Sequence, residues 1–126
     1  MVKHSSAIHS LFDSVSFLIY TIVMNQLSQP IEFEWDAGNI RKSSDKHSVT
    51  NQETEEAFLR GALVVPDAKH SIYEDRYILF GKTVGDVLLY VVFTLRVRKV
   101  RVISSRRANA RERKWYEEKI KAAANI

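Results

Sequence analysis

Cysteine is absent from the 126 residues. That removes disulfides, thiolate metal ligands and a cysteine nucleophile together, and it fits a reducing compartment such as the cytoplasm. The four histidines, at positions 4, 9, 47 and 70, fall in no metal-ligand spacing, so neither a metal nor any other cofactor is expected. Gly81-Lys82-Thr83 has the ending of a phosphate-binding P-loop. The glycine that motif needs five residues earlier is Arg76, which excludes it. A bilayer-spanning run is missing too: the apolar stretch Val15 to Met24 has ten residues, against the roughly 20 a spanning helix needs. It could pass for a signal-peptide core behind Lys3. No small-x-small cleavage site follows it, and Asp13 sits close to its start.

What is present is an ordinary apolar share of 45%, enough for the core of one domain. Charge is distributed unevenly. From Leu95 to Ile126 there are eleven Lys or Arg against three acids, whereas the preceding 94 residues carry eight against twelve. The formal +4 therefore hides a cationic end, and such a field attracts a polyanion. Residues 1–29 read as an N-terminal extension, expected to pack loosely as a helix. Met24 offers a second initiation point, which would leave part of that extension outside the native product. The folded domain is expected over 30–126.

Ile31, Phe33 and Trp35 alternate with Glu32 and Glu34, the period of a half-buried strand. Asp36 is placed to cap a helix running to about His47, and Thr50 with Glu53 forms a capping box for a second helix through Phe58. Gly61 ends that helix, Ala62 to Val65 is a short strand, and Pro66-Asp67 stops it. Tyr77 to Thr83 and Val87 to Thr94 form a hairpin across Val84-Gly85-Asp86. The run VLLYVVF predicts a central strand buried on both faces. Arg98 to Ser105 is a further strand, with Val100 and Val102 on one side and Arg101 on the other. Asn109 with Glu112 caps a basic last helix to about Ala124, with Trp115 and Ile120 as its buried stripe and Tyr116 near the rim. Trp35, Phe58, Tyr77, Phe80 and Phe93 are expected in the core. The fold class is α+β, a mostly antiparallel sheet with two helices on its N-terminal side and one basic C-terminal helix.

Several blocks in this order, at nearly gap-free spacing, resemble one family: FEWD (33–36), KH-x-V (46–49), EEAF (55–58), VVPD-x-x-HS (64–71), the EDRYILFG run (74–81), VVFT (91–94) and VRVISSRRA…RER…YEE (100–118). The chain resembles the BrnT family of bacterial type II toxins, which have a RelE-like ribonuclease fold. Four positions depart from the family pattern: Asn39 for a lysine, Ser43 for an asparagine, Ser48 for a glycine and Leu95 for an acid. The resemblance implies an RNA endonuclease held inactive by a cognate ribbon-helix-helix antitoxin. It also implies contact with operator DNA only through that complex, in which the toxin is a possible homodimer. Two other readings stay open: a catalytically inactive homologue acting as co-repressor, and a generic basic nucleic-acid-binding module.

RNA cleavage without a metal uses the 2′-hydroxyl of the substrate as nucleophile. The site must take that proton, protonate the leaving 5′-oxygen and neutralise charge on the phosphorane. Arg101 is the first candidate for the phosphate, since apolar neighbours direct its head to one face. Arg76, Lys46, His47 and Glu74 complete the candidate catalytic set, with Glu74 as a possible base. Arg106, Arg107, Arg111, Arg113 and His70 are candidates for RNA contact. Arginine forks suit phosphate oxygens bidentately, and a histidine titrates near neutral pH.

Overall fold

In the computed structural model, residues 23–60 and 63–124 are described. Most of the apolar stretch from Val15, together with Gly61 and Ala62, lies outside them. Four strands, β1 (Leu63–Pro66), β2 (Arg76–Lys82), β3 (Leu88–Arg96) and β4 (Lys99–Arg107), pair antiparallel in the order β1-β2-β3-β4. Two short helices, α1 (Lys42–His47) and α2 (Asn51–Leu59), precede the sheet, and α3 (Ala110–Ala124) follows it. Among the described residues no helix is long and apolar enough to cross a membrane.

Side chains alternate across the sheet, so one face carries Leu79, Leu89, Val91, Phe93, Val100 and Val102, all buried. Helix α2 closes that face with Ala57 and Phe58. The rings of Phe33, Phe58, Phe93 and Tyr77 form a chain with centroids 5.4, 4.8 and 5.6 Å apart. Approach is closest at Gly81, where any Cβ would collide with the Ala57 carbonyl. Both reciprocal capping bonds of Thr50 and Glu53 are made at the start of α2. The second face carries Phe80, Leu88, Ala108 and Tyr116, and α3 covers only this end of it. Asn109 and Glu112 cap α3 with the same two-way exchange, at 2.9 and 2.8 Å.

Three expectations are corrected. The segment at 31–35 is not a strand of the sheet but touches β4 through one parallel bridge, Phe33 to Val100. Helix α1 begins at Lys42, because Asp36 instead folds a turn in which its carboxylate accepts from the Gly38 N–H and its carbonyl from Asn39 and Ile40. On α3, Tyr116 and Lys119 are buried, Trp115 is half-buried and Ile120 is exposed. The register of α3 turns the phenol ring onto Phe80, leaving Ile120 on the outer side.

The outer edge of β4 is sealed by two of the departures noted above. The Asn39 amide donates to the carbonyls of Val102 and Glu34, and the Ser105 N–H donates to Ser43 Oγ. An open edge would be a template for unwanted pairing, and here it is occupied. Ser48 ends α1 in the left-handed region at φ 56°, the position where glycine costs least. Val23 and Leu27 are buried in the main core, and Ser28 is bonded through its N–H to the Arg98 carbonyl.

Candidate active site

The uncovered end of the second face carries the polar side chains. The pairing register sets Arg76, Thr94 and Arg101 side by side in one row, Ile78, Val92 and Ser104 in the next, and Phe80, Tyr90 and Arg106 in the third. A β-bulge makes the middle row. Val92 pairs with Ser104 while Phe93 pairs with Val102, so Ile103 is the extra residue. Ile103 and Ser104 therefore both line the same cleft, and Ser105 returns to the helix side to accept from Thr54 Oγ1 at 2.8 Å. The bulge thus puts Arg101 and Arg106 on one face although they are five residues apart.

The cleft has a volume of about 240 Å³ and is lined by Asp67, His70, Arg76, Tyr90, Val92, Ile103 and Ser104. The loop before β2 fixes Arg76 by its backbone. Its N–H donates to Ser71 Oγ at 2.9 Å and its carbonyl accepts from the Asp67 N–H at 2.8 Å. The side chain is another matter: the Arg76 Nε is buried and has no hydrogen-bond partner among the described residues. A buried donor left unmet costs free energy, and the residue itself lines the cleft. Beside it, His70 Nδ1 lies 2.9 and 3.1 Å from the two oxygens of Asp67. A carboxylate accepts, so the Nδ1 N–H donates to Asp67 and the pair fixes the orientation of the ring. The Asp67 side chain is 11% exposed and that of His70 57%, a buried anchor holding an accessible ring.

Tyr90 forms the floor. Burial raises its pKa, so the phenol keeps its proton through the neutral range. The Arg106 guanidinium lies 4.1 Å from the centre of its ring. Arg106 is itself gripped bidentately by Glu112 at 2.7 and 2.8 Å, which raises its pKa and holds the Glu112 carboxyl below its usual range. Glu112 so ties β4 to the cap of α3.

Arg101 is differently placed. Asp36 takes it at 2.7 and 3.1 Å and Glu34 at 3.0 Å, and that hydrogen bonding lowers the pKa of Asp36. Arg96 lies 3.9 Å from Glu34 and 3.5 Å from Glu74, and Lys99 is 3.4 Å from Glu32. The acids of residues 32–36 thus neutralise much of the cationic run that the linear sequence shows at β4.

Of the sequence candidates, the fold brings Arg76 and His70 into the cleft, with Arg106 next to it through Tyr90. Arg111 stands beyond, at a neighbouring apolar groove. Lys46 and His47 end α1, by the sealed edge of β4, and do not line the cleft. Glu74 faces Arg96. Arg107 is exposed and pairs with Leu89, so it lies on the helix side. Arg113 donates to the Ala108 carbonyl at 2.7 Å. Asp67 and Tyr90 are residues that sequence reasoning passed over. The Asp-x-x-His spacing of 67–70 was the available signal for the first; Tyr90 gave none, since it sits in an apolar run. Among the described residues no three His, Cys, Asp or Glu side chains are grouped to hold a metal ion.

Comparison with individual curated proteins gives no match. A family model does match, over residues 35–112, and its description is "Ribonuclease toxin, BrnT, of type II toxin-antitoxin system". That span is more than half the chain and takes in α1, α2, the whole sheet, the cleft and the Glu112 clamp. The chain belongs to the BrnT family of ribonuclease toxins.

Proposed function

We propose that this toxin cleaves RNA in the Arg76–His70 cleft by transesterification, without a metal ion. The observation that carries the reading is one cleft that brings the Arg76 cation beside a histidine oriented by Asp67. Arg76 receives a non-bridging oxygen of the scissile phosphate. His70 Nε2 takes the proton of the 2′-hydroxyl, whose oxygen attacks the adjacent phosphorus as the bond to the 5′-oxygen breaks. Tyr90, kept protonated by burial, donates to the leaving oxygen. The products are a 2′,3′-cyclic phosphate and a 5′-hydroxyl end. Arg106, itself paired with Glu112, holds the Tyr90 ring in place. The sequence puts Arg101 first, yet Asp36 and Glu34 already occupy its donors, so phosphate binding is assigned to Arg76 and a positioning role to Arg101.

An antitoxin partner and an RNA substrate follow from the family. We assign the antitoxin to the ribbon-helix-helix class, covering the open sheet face, with operator DNA reached only through the complex and the pair residing in the cytoplasm. An inactive co-repressor is the weaker alternative, because Asn39, Ser43, Ser48 and Leu95 do not line the cleft. The test is the purified chain on end-labelled RNA, free and in the presence of ribosomes. Cleavage that yields cyclic phosphate ends, survives a chelator and stops at a 2′-deoxy position is the expected result. Intact RNA in both settings, or loss of cleavage on chelation, overturns it.

A further inference from the structure

Next to the cleft, on the same face, lies a second recess with no place in the chemistry above. It has a volume of about 280 Å³ and is lined by Val65, Ile78, Phe80, Trp115, Arg111 and Glu112, with apolar atoms making up its wall. Glu112 is turned to Arg106 and to the Asn109 N–H, so its charge is already met. Arg111 is exposed at the rim. The floor is aromatic: the Phe80 and Trp115 rings lie 5.1 Å apart at 44°.

The recess and the cleft are neighbours on one face of the sheet, meeting at the Ile78–Val92 pair. Arg76, Ile78 and Phe80 are alternate residues on one side of that strand, so Ile78 stands about 7 Å from Arg76. Val92, paired with Ile78, lines the cleft, while Ile78 lines the recess. A chain whose phosphate sits on Arg76 therefore has its neighbouring residue over an apolar, aromatic hollow with a cation at its lip. Unstacking a base into water is unfavourable, and an aromatic wall replaces the lost stacking.

We propose that this recess is a nucleobase subsite, which takes the base of a nucleotide next to the scissile phosphate while Arg111 meets its backbone. The assignment rests on the cleavage site proposed above. Because the wall is apolar, the subsite reads the presence of a planar ring and not the hydrogen-bonding edge that distinguishes one base from another. Its contribution is to hold the RNA in register across the face, so that the 2′-hydroxyl and the leaving oxygen are in line.

The test uses a set of RNA oligonucleotides, each with one abasic residue at a different distance from the cleavage point, and the full-length protein under single-turnover conditions. The expected result is one flanking position where the abasic residue slows cleavage by on the order of tenfold, and where all four bases are equally good. Trp115→Ala is expected to slow the normal substrate by a similar factor and to abolish the difference between normal and abasic RNA. Trp115→Phe keeps a ring and restores most of it. The abasic series in the wild type needs no substitution, so a folding defect in either variant does not blunt it. An equal response to abasic residues at every position overturns the subsite while leaving the cleavage reading intact. If RNA is not cut at all, the cleavage reading fails, and binding of the abasic set without cleavage still decides the subsite. A Trp115→Ala protein that cleaves at the normal rate but loses capture of an antitoxin encoded beside it marks the recess as a protein-docking surface and overturns the proposal.

Discussion

The two faces of the sheet are built by different rules. Under α2, every inward residue is apolar or, like Thr54 and Ser105, paired with another polar group, and rings interlock down to Gly81. On the other face, α3 shields one end, and the rest carries Arg76, Thr94, Arg101, Tyr90 and Arg106 in rows. The first face holds the fold together through burial. The second gives up part of that burial to keep charged groups in a half-buried hollow, where a cation acts more strongly than in open water. The family model spans both.

If the faces are separable in this way, a change on the first face should damage stability and one on the second should damage chemistry. The largest effect is expected from Phe93→Ala, which removes a fully buried ring from the aromatic chain and costs about 3–5 kcal/mol. Urea unfolding measures it; a loss under about 1 kcal/mol would mean the face is not the main core. Arg76→Ala is the counterpart. It should lower the cleavage rate by about 10²–10³, as loss of one charge-stabilising donor does elsewhere. Its midpoint in urea should be unchanged or higher, since an unsatisfied buried donor is removed. A destabilised Arg76→Ala protein would break the comparison.

How far the sequence could be read follows the same divide. The first face was legible, because alternation at Val100, Arg101 and Val102, the apolar run of β3 and the Thr50–Glu53 box are local patterns. The basic helix and its Asn109–Glu112 cap were legible for the same reason. Two features that shape the second face were not. The bulge at Ile103 has no composition signal, yet it sets which residues of β4 meet the cleft. And the cationic run looked free because its neutralising partners, Glu34 and Asp36, lie more than 60 residues away in the chain. Pairing of charges is a tertiary fact: the apolar neighbours that put Arg101 first direct its head to one face but do not show the acids that meet it there.

Acid should act on the second face before the first. Glu112 has its pKa lowered from the ordinary 4.5 by Arg106, so the stability it adds is fully present above that value. It is lost as pH falls through the lowered folded-state value, because the carboxyl must then take up a proton and release Arg106. Thermal melting between pH 7 and pH 3 should show a decline in the wild type that is shallower in Glu112→Gln. The same variant should be less stable at pH 7, with α3 loosened from β4. An unaltered acid limb in Glu112→Gln would mean that the clamp does not hold the second face.

The smallest expected effect separates the fold from its chemistry most cleanly. Ser48 sits at φ 56° at the end of α1, where a Cβ is a steric burden. Ser48→Gly relieves that strain but also frees the unfolded chain, so the two effects oppose one another. Relief should prevail, because Ser48 N–H bonds to Ser44 and no side-chain contact of Ser48 is lost among the described residues. A gain of about 0.5–1 kcal/mol in urea unfolding is expected. Position 48 does not line the cleft, and cleavage should be unaltered. A faster Ser48→Gly enzyme would instead mean that the end of α1, with Lys46 and His47 beside it, reaches the substrate, and that the second face does not carry the chemistry alone.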